Sequence, residues 1–474
     1  MGRTKVTDDF RGGNRPMSSV SAPVDGVSPE VLLNLDPGTP RGFWAREGRW
    51  FAHLGAAATL EVDDPLEAQD RFTLIWSRAQ KLFNGSNTLP DAQGDPPPPR
   101  LFGGFAFREG HSPEGAWKGF PSAMFVLPEV ELMGGDGQGV LTCRAYLEPG
   151  EDSDRCRRRL SQRLDRIRNA IQAPVREQRD PMPWIPSTRV ETEEGPWTEA
   201  VHRALTEVAE GDVEKVVLAR VQTVLAEGGL DSVEVAMNLW RDNPGAHVFL
   251  FEPRAGHILL GAAPETVATV ADGQFRATAV AGSVGRGDSE VQQKALAADL
   301  LNSSKDRWEH QMCVEDMVQR LRPLSRRVHA EENPHVLTLS TIQHLETVIE
   351  AELLPGEHVL SVLQALHPTP AVCGFPRDLA LDFLRREEQF HRGWYSGPVG
   401  WLDGSGNGVF VPALRSAVGV GSEWRLFAGA GIVEGSDPRR EWEETRIKFQ
   451  PVLRALAQAR ASGSRDHEAA AEGV

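Results

Sequence analysis

Two stretches of this chain place carboxylates where a helix would carry its apolar stripe. In PRREWEETRIKFQPVLRALA, about 100° per residue puts Glu441, Glu444 and Lys448 on one stripe that Val452, Ala455 and Leu456 continue. These charges point where the core points, unless the stripe is a solvated face of i, i+3 and i+7 ion pairs. SKDRWEHQMCVEDMVQRL repeats the pattern: Cys313, Val314, Met317, Val318 and Leu321 define a buried face, with His310 at its middle and Glu309 on its edge beside Cys313. The histidine reads equally well as a core residue. A carboxylate on a buried border needs a cation or hydrogen-bond donors, because desolvating its charge is costly. Two helices aiming glutamates inward, with no His/Cys cluster, suggest a hard cation with oxygen ligands, and Mg²⁺ fits because a few carboxylates, water and substrate oxygens hold it.

The other chemistry-bearing residues lie at strand ends. In EKVVLARVQTVL, alternation puts Lys215 on the face of Val217, Ala219 and Val221. It either snorkels to water or is buried with a lowered pKa, as a general base requires. Glu265, in GAAPET, follows a strand and a proline and is ambiguous alone. AGAGIVEGS (428–436) follows a strand and precedes a helix, so its N–H groups could cradle an anion. Its GxGxxxG spacing and the lack of a following strand argue for a small carboxylate rather than a dinucleotide. GSGNG (404–408) reads as a hairpin turn.

The elements that must position these residues mix strands and helices without a strict βαβ rhythm, which predicts α+β with large antiparallel sheets. Helices are expected over 152–171, 196–210, 289–301, 304–321 and from 436, and a hairpin at Asp272-Gly273. GWYSGPVGWLD, GVFVPALRSAVGV and EWRLFAGAGIV read as three strands of one meander. Residues 1–28 and 461–474 read as polar tails around one large domain, 29–460, with REQRDPMPWIPSTR (176–189) as a subdomain boundary and 190–460 as the catalytic half. Across 474 residues, 51 Lys and Arg against 67 Asp and Glu give a net charge of −16, which argues against nucleic acid or an anionic membrane as partner. Four scattered cysteines, no apolar run of about 18 residues and no apolar leader segment lead to the expectation of a cytoplasmic protein.

Read in order, KVVLAR, GAAPET, AVAGSVGRG, KDRWEH, QHLET, LHPTPAVCGFP, RGWYSGPVGW, ALRSA and FAGAGIVEGSDPRREWEETRIK resemble the chorismate-utilising enzymes. That family includes isochorismate, salicylate, anthranilate and aminodeoxychorismate synthases, and the ordered set is most similar to isochorismate synthases. The resemblance implies a two-layer core of antiparallel sheets surrounded by helices. It implies Lys215 as the base that activates water, Glu265 as the acid, Glu309 and Glu444 as Mg²⁺ ligands, and Glu441 near the metal through water. Gly282, Tyr395, Arg415, Lys448 and the Gly429–Ala430–Gly431 backbone match positions that hold the substrate, with Ser283 beside them and His344 and Ala371 lining the ring pocket. Ala281 stands where aminodeoxychorismate synthases carry a nucleophilic lysine, and anthranilate synthases usually have glutamine in place of Lys215. A monomer without a glutamine amidotransferase subunit is implied, of the menaquinone type by its long N-terminal segment and RGWYSGPVGW. Salicylate synthases, which share the first step, are the runner-up, and a noncatalytic chorismate-binding subunit is the rival from another class. Ser283, Ala263, Trp394 and Pro412 depart from the common family pattern.

Overall fold

The computed structural model describes residues 16–63, 70–84, 97–135, 137–173, 187–190, 192–226, 229–339 and 342–459. Every strand ladder among them is antiparallel. The sheet forks at Ala123–Gly135, whose one edge pairs with Arg49–Val62 while the other is shared by Arg100–Phe105 and Gln138–Tyr146. From Arg49–Val62 one arm runs through Arg41–Arg46, His247–Arg254, His257–Ala263, Ser416–Val420 and Glu423–Ile432 to Lys215–Leu225. From Arg100–Phe105 the other runs through Pro398–Asp403, Gly408–Pro412, Ala268–Ala271 and Gln274–Gly285 to Ile342–Leu353.

The two arms face each other across an aromatic core that includes Trp44, Phe102, Phe251, Trp394 and Phe427. Their outer faces are closed by helices. Ser153–Gln172, Ser232–Asp242 and Pro438–Gln458 pack on one, and Arg71–Asn84, Ser304–Leu321 and Val359–Leu366 on the other. Burying both sheet faces is what the alternating and near-continuous apolar strands require. Among the described residues no helix is long and apolar enough to cross a membrane.

Local chemistry sets the elements that matter for the site. Asp272 and Gly273 both take positive φ, 51° and 76°, as a two-residue turn between paired strands demands. Asp437 caps the last helix by accepting from the Arg440 N–H, and Pro438 occupies its first turn. Ser303 caps Ser304–Leu321 in the same way through Asp306.

Three expectations are corrected or displaced. Met17–Asp25, inside the segment read as a tail, is a strand paired along Gln138–Tyr146, with Met17, Val20, Ala22 and Val24 buried. Met17 is out of step with the alternation of Val20, Ala22 and Val24, and serines and a proline stand among them, so the segment reads as a polar tail; Pro23 is tolerated because nothing pairs with its outer edge among the described residues. The three-strand meander is broken at Pro412: Gly408–Pro412 stays in one arm, and Ser416–Val420 crosses to the other and pairs with His257–Ala263 and Glu423–Ile432. Arg415, at φ 47°, turns that corner. Most of the boundary at 176–189, and the tail 461–474, lie outside the described residues. Ser187–Val190 is a strand on the edge of Lys215–Leu225, and strands from both sides of 174–186 pair directly.

Candidate active site

Lys215 opens its strand at the inner end of the sandwich. Alternation sends Val216 and Leu218 under the outer helices and Ala219 and Val221 into the aromatic core, so Lys215 shares the inner face. Only 1% of it is exposed, and its Nζ lies 2.8 Å from Glu309 Oε1 and 3.7 Å from Cys313 Sγ. Burial alone would depress the amine, but Cys313 and Glu309 outweigh it and hold the lysine above its ordinary value. Burial pushes the Cys313 thiol up to about 11, so it faces the ammonium as a neutral group and Glu309 supplies the counter-charge. The expected fall in lysine pKa is therefore reversed, because nothing in the sequence shows which carboxylate stands opposite.

That approach depends on Gly431. A Cβ there would come within 2.7 Å of Glu309 Oε1 and 2.9 Å of Lys215 Cε. Gly431→Ala is expected to push the pair apart and lower folding stability by ~1–3 kcal/mol, measured by urea unfolding. Unchanged stability would mean that the pair has room to move.

Glu309, Glu441, Glu444, Asp306, Ser283 and Gly431 line one open pocket of about 920 Å³. The three candidate metal ligands each face a lysine: Glu309 meets Lys215, Glu441 meets Lys305 at 3.3 Å, and Glu444 meets Lys448 at 2.5 Å. Burial first, then Glu444, raises Glu441 to about 7, with Lys305 opposing. Burial also raises Asp306, with Glu309 and Glu444 adding to it against a hydrogen bond from Ser303. Glu441 and Asp306, raised by burial and by neighbouring carboxylates in the same pocket as Glu309 and Glu444, belong to a donor set that a divalent cation would relieve, so the residues fit such an ion. Among the described residues no three His, Cys, Asp or Glu side chains stand ready to hold an ion by themselves. Water and substrate oxygens would have to complete the shell.

Glu265 follows His257–Ala263 and Pro264 and is 6% exposed. Burial raises its carboxyl to about 7, against the pull of Arg415, Lys215 and Lys448. With Ala371 and Cys313 it lines a separate small cavity of about 10 Å³. Gly282, at φ +73°, is the extra residue of a bulge between Gln274–Gly285 and Ile342–Leu353, and it sets Ser283 opposite His344. His344 Nε2 lies 3.3 Å from Arg415 Nη2, and its Nδ1 lies 2.9 Å from Ser283 Oγ and 3.3 Å from Gly282 O. A guanidinium only donates, which assigns the proton to Nδ1. Burial first and Arg415 second hold this imidazole well below its ordinary value, hence neutral.

Lys448 Nζ donates to the Gly429 carbonyl at 2.9 Å as well as to Glu444. A Cβ at Gly429 would lie 3.1 Å from the Tyr395 hydroxyl. Tyr395 is buried and stacks on Phe427. Ala430 sends its side chain away, under the outer helices, so only its backbone can serve a ligand. Three residues of the site have no expected role from the sequence pattern: Cys313 reads only as core, and Lys305 and Asp306 stand in KDRWEH with none assigned, although Lys305 is one helical turn before Glu309.

The chain belongs to the chorismate-binding enzymes: the family model described as "Chorismate binding enzyme" matches residues 6–457. It is 34% identical over 448 residues to the salicylate biosynthesis isochorismate synthase of Pseudomonas aeruginosa, covering 94% of this chain and 91% of that protein. It is 32% identical over 359 residues to the isochorismate synthase MenF of Bacillus subtilis, covering 76% and 74%. Among solved structures, MenF, the menaquinone-specific isochorismate synthase from Escherichia coli, superposes with a TM-score of 0.76 at 26% identity over 94% and 95% of the two chains. Anthranilate synthase component I from Streptococcus pneumoniae, at 19% identity and a TM-score of 0.66 over 95% of each chain, shares the fold.

Proposed function

We propose that this protein isomerises chorismate to isochorismate. The observation that carries the reading is that Lys215 and Glu265 are both buried and that Arg415, Lys215 and Lys448 all act electrostatically on the Glu265 carboxyl, which burial raises into the range where it can give up a proton near neutrality. Family membership and isochorismate synthase relatives spanning most of the chain support the substrate class.

In the proposed step Lys215 accepts a proton from a water that attacks C2. The ring double bonds shift, and Glu265 delivers its proton to the hydroxyl leaving C4. One water enters and one leaves, so atoms and charge balance. Lys215 stays protonated as long as Glu309 is its counter-ion, and it can take up a proton only when that carboxylate is engaged elsewhere. Arg415 and Lys448 offer positive charge to the two carboxylates of the substrate, and Ser283, with His344 already donating from Nδ1, keeps its hydroxyl proton for a ligand. Held by Glu309 and Glu444, with Glu441 reached through water, Mg²⁺ would act as a Lewis acid and neutralise the ring carboxylate. Water is the nucleophile, so the reading includes no amidotransferase subunit. It takes the enzyme as a cytoplasmic monomer of the menaquinone type.

The test is product analysis. Purified protein with chorismate and Mg²⁺ should give isochorismate and settle at a mixture of the two. Stoichiometric pyruvate, read by coupled lactate dehydrogenase, would instead make it a salicylate synthase, and no turnover would leave a binding subunit.

EDTA should abolish turnover and Mg²⁺ restore it. In calorimetric titration, Glu309→Gln and Glu444→Gln should bind Mg²⁺ at least about tenfold more weakly while their unfolding stays cooperative, each lost ligand being worth ~1.4 kcal/mol or more. Mg²⁺ affinity unchanged in both variants would remove these glutamates from the metal site.

A further inference from the structure

The strand that carries Lys215 is paired continuously on one edge by Glu423–Ile432, but its other edge is a patchwork. Phe375 and Gly374 pair with Lys215 and Val216, and the Cys373 carbonyl accepts from the Val217 N–H at 2.9 Å. From Gln222 onward Ser187–Val190 takes over, with Thr192 bonded to Val221 just before it. Between these pieces the Val217 carbonyl and the Ala219 N–H are met by side chains. Arg392 Nη2 donates to Val217 O at 2.6 Å, and Glu388 Oε1 accepts from the Ala219 N–H at 3.1 Å. Glu388 and Arg392 are themselves an ion pair, each side chain 2% exposed. Arg392 also donates to the Val372 carbonyl at 2.9 Å and lies over the Phe107 ring at 4.5 Å.

Resting on the reading of Lys215 as the base, we propose that Glu388 and Arg392 are positioning residues for this reaction: their ion pair replaces a missing neighbouring strand and fixes where Lys215 stands against Glu309. Val217 and Ala219 are two and four residues from Lys215 and share its face, so a shift of either peptide is transmitted to the lysine along a stiff extended backbone. A carbonyl or N–H left unpaired at a buried edge is costly, so the strand cannot settle without this pair or a substitute. The guanidinium is suited to the task because its rigid fork reaches a carboxylate and two carbonyls at once, which a lysine ammonium does not reproduce. The same turn delivers a substrate-side residue: the Tyr395 N–H donates to the Arg392 carbonyl at 2.9 Å, so one arginine ties together the strand of the base and the turn of Tyr395.

The test uses the full chain with chorismate and saturating Mg²⁺, comparing Glu388→Gln and Arg392→Lys with Thr192→Val, which removes an edge hydrogen bond six residues beyond Lys215. In the first two variants kcat should fall about ten- to hundredfold while KM for chorismate stays within about threefold, the cost of an ångström-scale misplacement of a reacting group. Hydrogen exchange over residues 214–221 should quicken in both. Thr192→Val should lose thermal stability and keep its kcat within about twofold. Glu388→Gln retains an acceptor for the Ala219 N–H and decides the matter if Arg392→Lys does not fold. If Glu388→Gln loses stability but not kcat, or raises KM alone, the pair is merely structural and the proposal is overturned. Failure of the underlying reading looks different: the wild type would make no isochorismate, or Lys215→Ala would match it.

Discussion

Lys215→Ala should lose isochorismate formation by about a hundredfold to ten-thousandfold, the range a positioned general base supplies. The loss should fall on kcat, because Arg415, Lys448 and the glycine-rich backbone, which the reading gives to substrate binding, are untouched. A second effect follows from the 2.8 Å contact between Lys215 and Glu309. Removing the ammonium leaves a buried carboxylate without its counter-charge, a change that costs ~3–5 kcal/mol, so the metal-free variant should unfold at markedly lower urea. A divalent cation would no longer compete with the lysine for Glu309. Calorimetric titration should therefore show Mg²⁺ binding more tightly to Lys215→Ala than to the wild type, although the variant is inactive. Weaker Mg²⁺ binding would mean that Glu309 serves the lysine alone, and retention of more than about a tenth of wild-type kcat, under ~1.4 kcal/mol of transition-state stabilisation, would remove Lys215 as the base.

Glu265→Gln should be inactive to a similar degree in both directions, because the group that acts as acid forward must act as base in reverse. Its stability should move the other way. Burial raises the folded-state carboxyl from 4.5 to about 7, so the folded protein holds this proton more tightly than the unfolded chain. The wild type then loses stability as pH rises through that interval and carries the whole cost above about 7. At ~1.4 kcal/mol per pKa unit the cost is on the order of 3 kcal/mol. Glutamine does not ionise, so the metal-free variant should be more stable than the wild type at pH 8, with the difference gone near pH 4.5. An inactive variant whose advantage is independent of pH would place the ionisation elsewhere.

Much of this was legible in the chain because it is local. Alternation placed Lys215 on an inner face, helical periodicity put Glu309, Glu441 and Glu444 on inward stripes, and Asp437-Pro438 marked the start of the last helix. Those features depend on residues within a turn or two of one another, where spacing alone sets direction. The ordered motifs likewise indicated the family that the whole-chain comparison shows.

Tertiary structure decided what lies opposite. Glu309 is 94 positions from Lys215, and only packing of Ser304–Leu321 against the sandwich, with a bare Gly431 between, brings them to contact and turns the expected fall in lysine pKa into a rise. The crossing at Pro412–Arg415, which carries Arg415 to His344, was invisible for the same reason, because a strand pattern does not say which sheet it joins. Glu388 and Arg392 stood in no helical or strand pattern at all. Sequence spacing fixes which way a side chain points, whereas its charge state and partners depend on groups far along the chain, and those are set only when the two arms of the sheet close on each other.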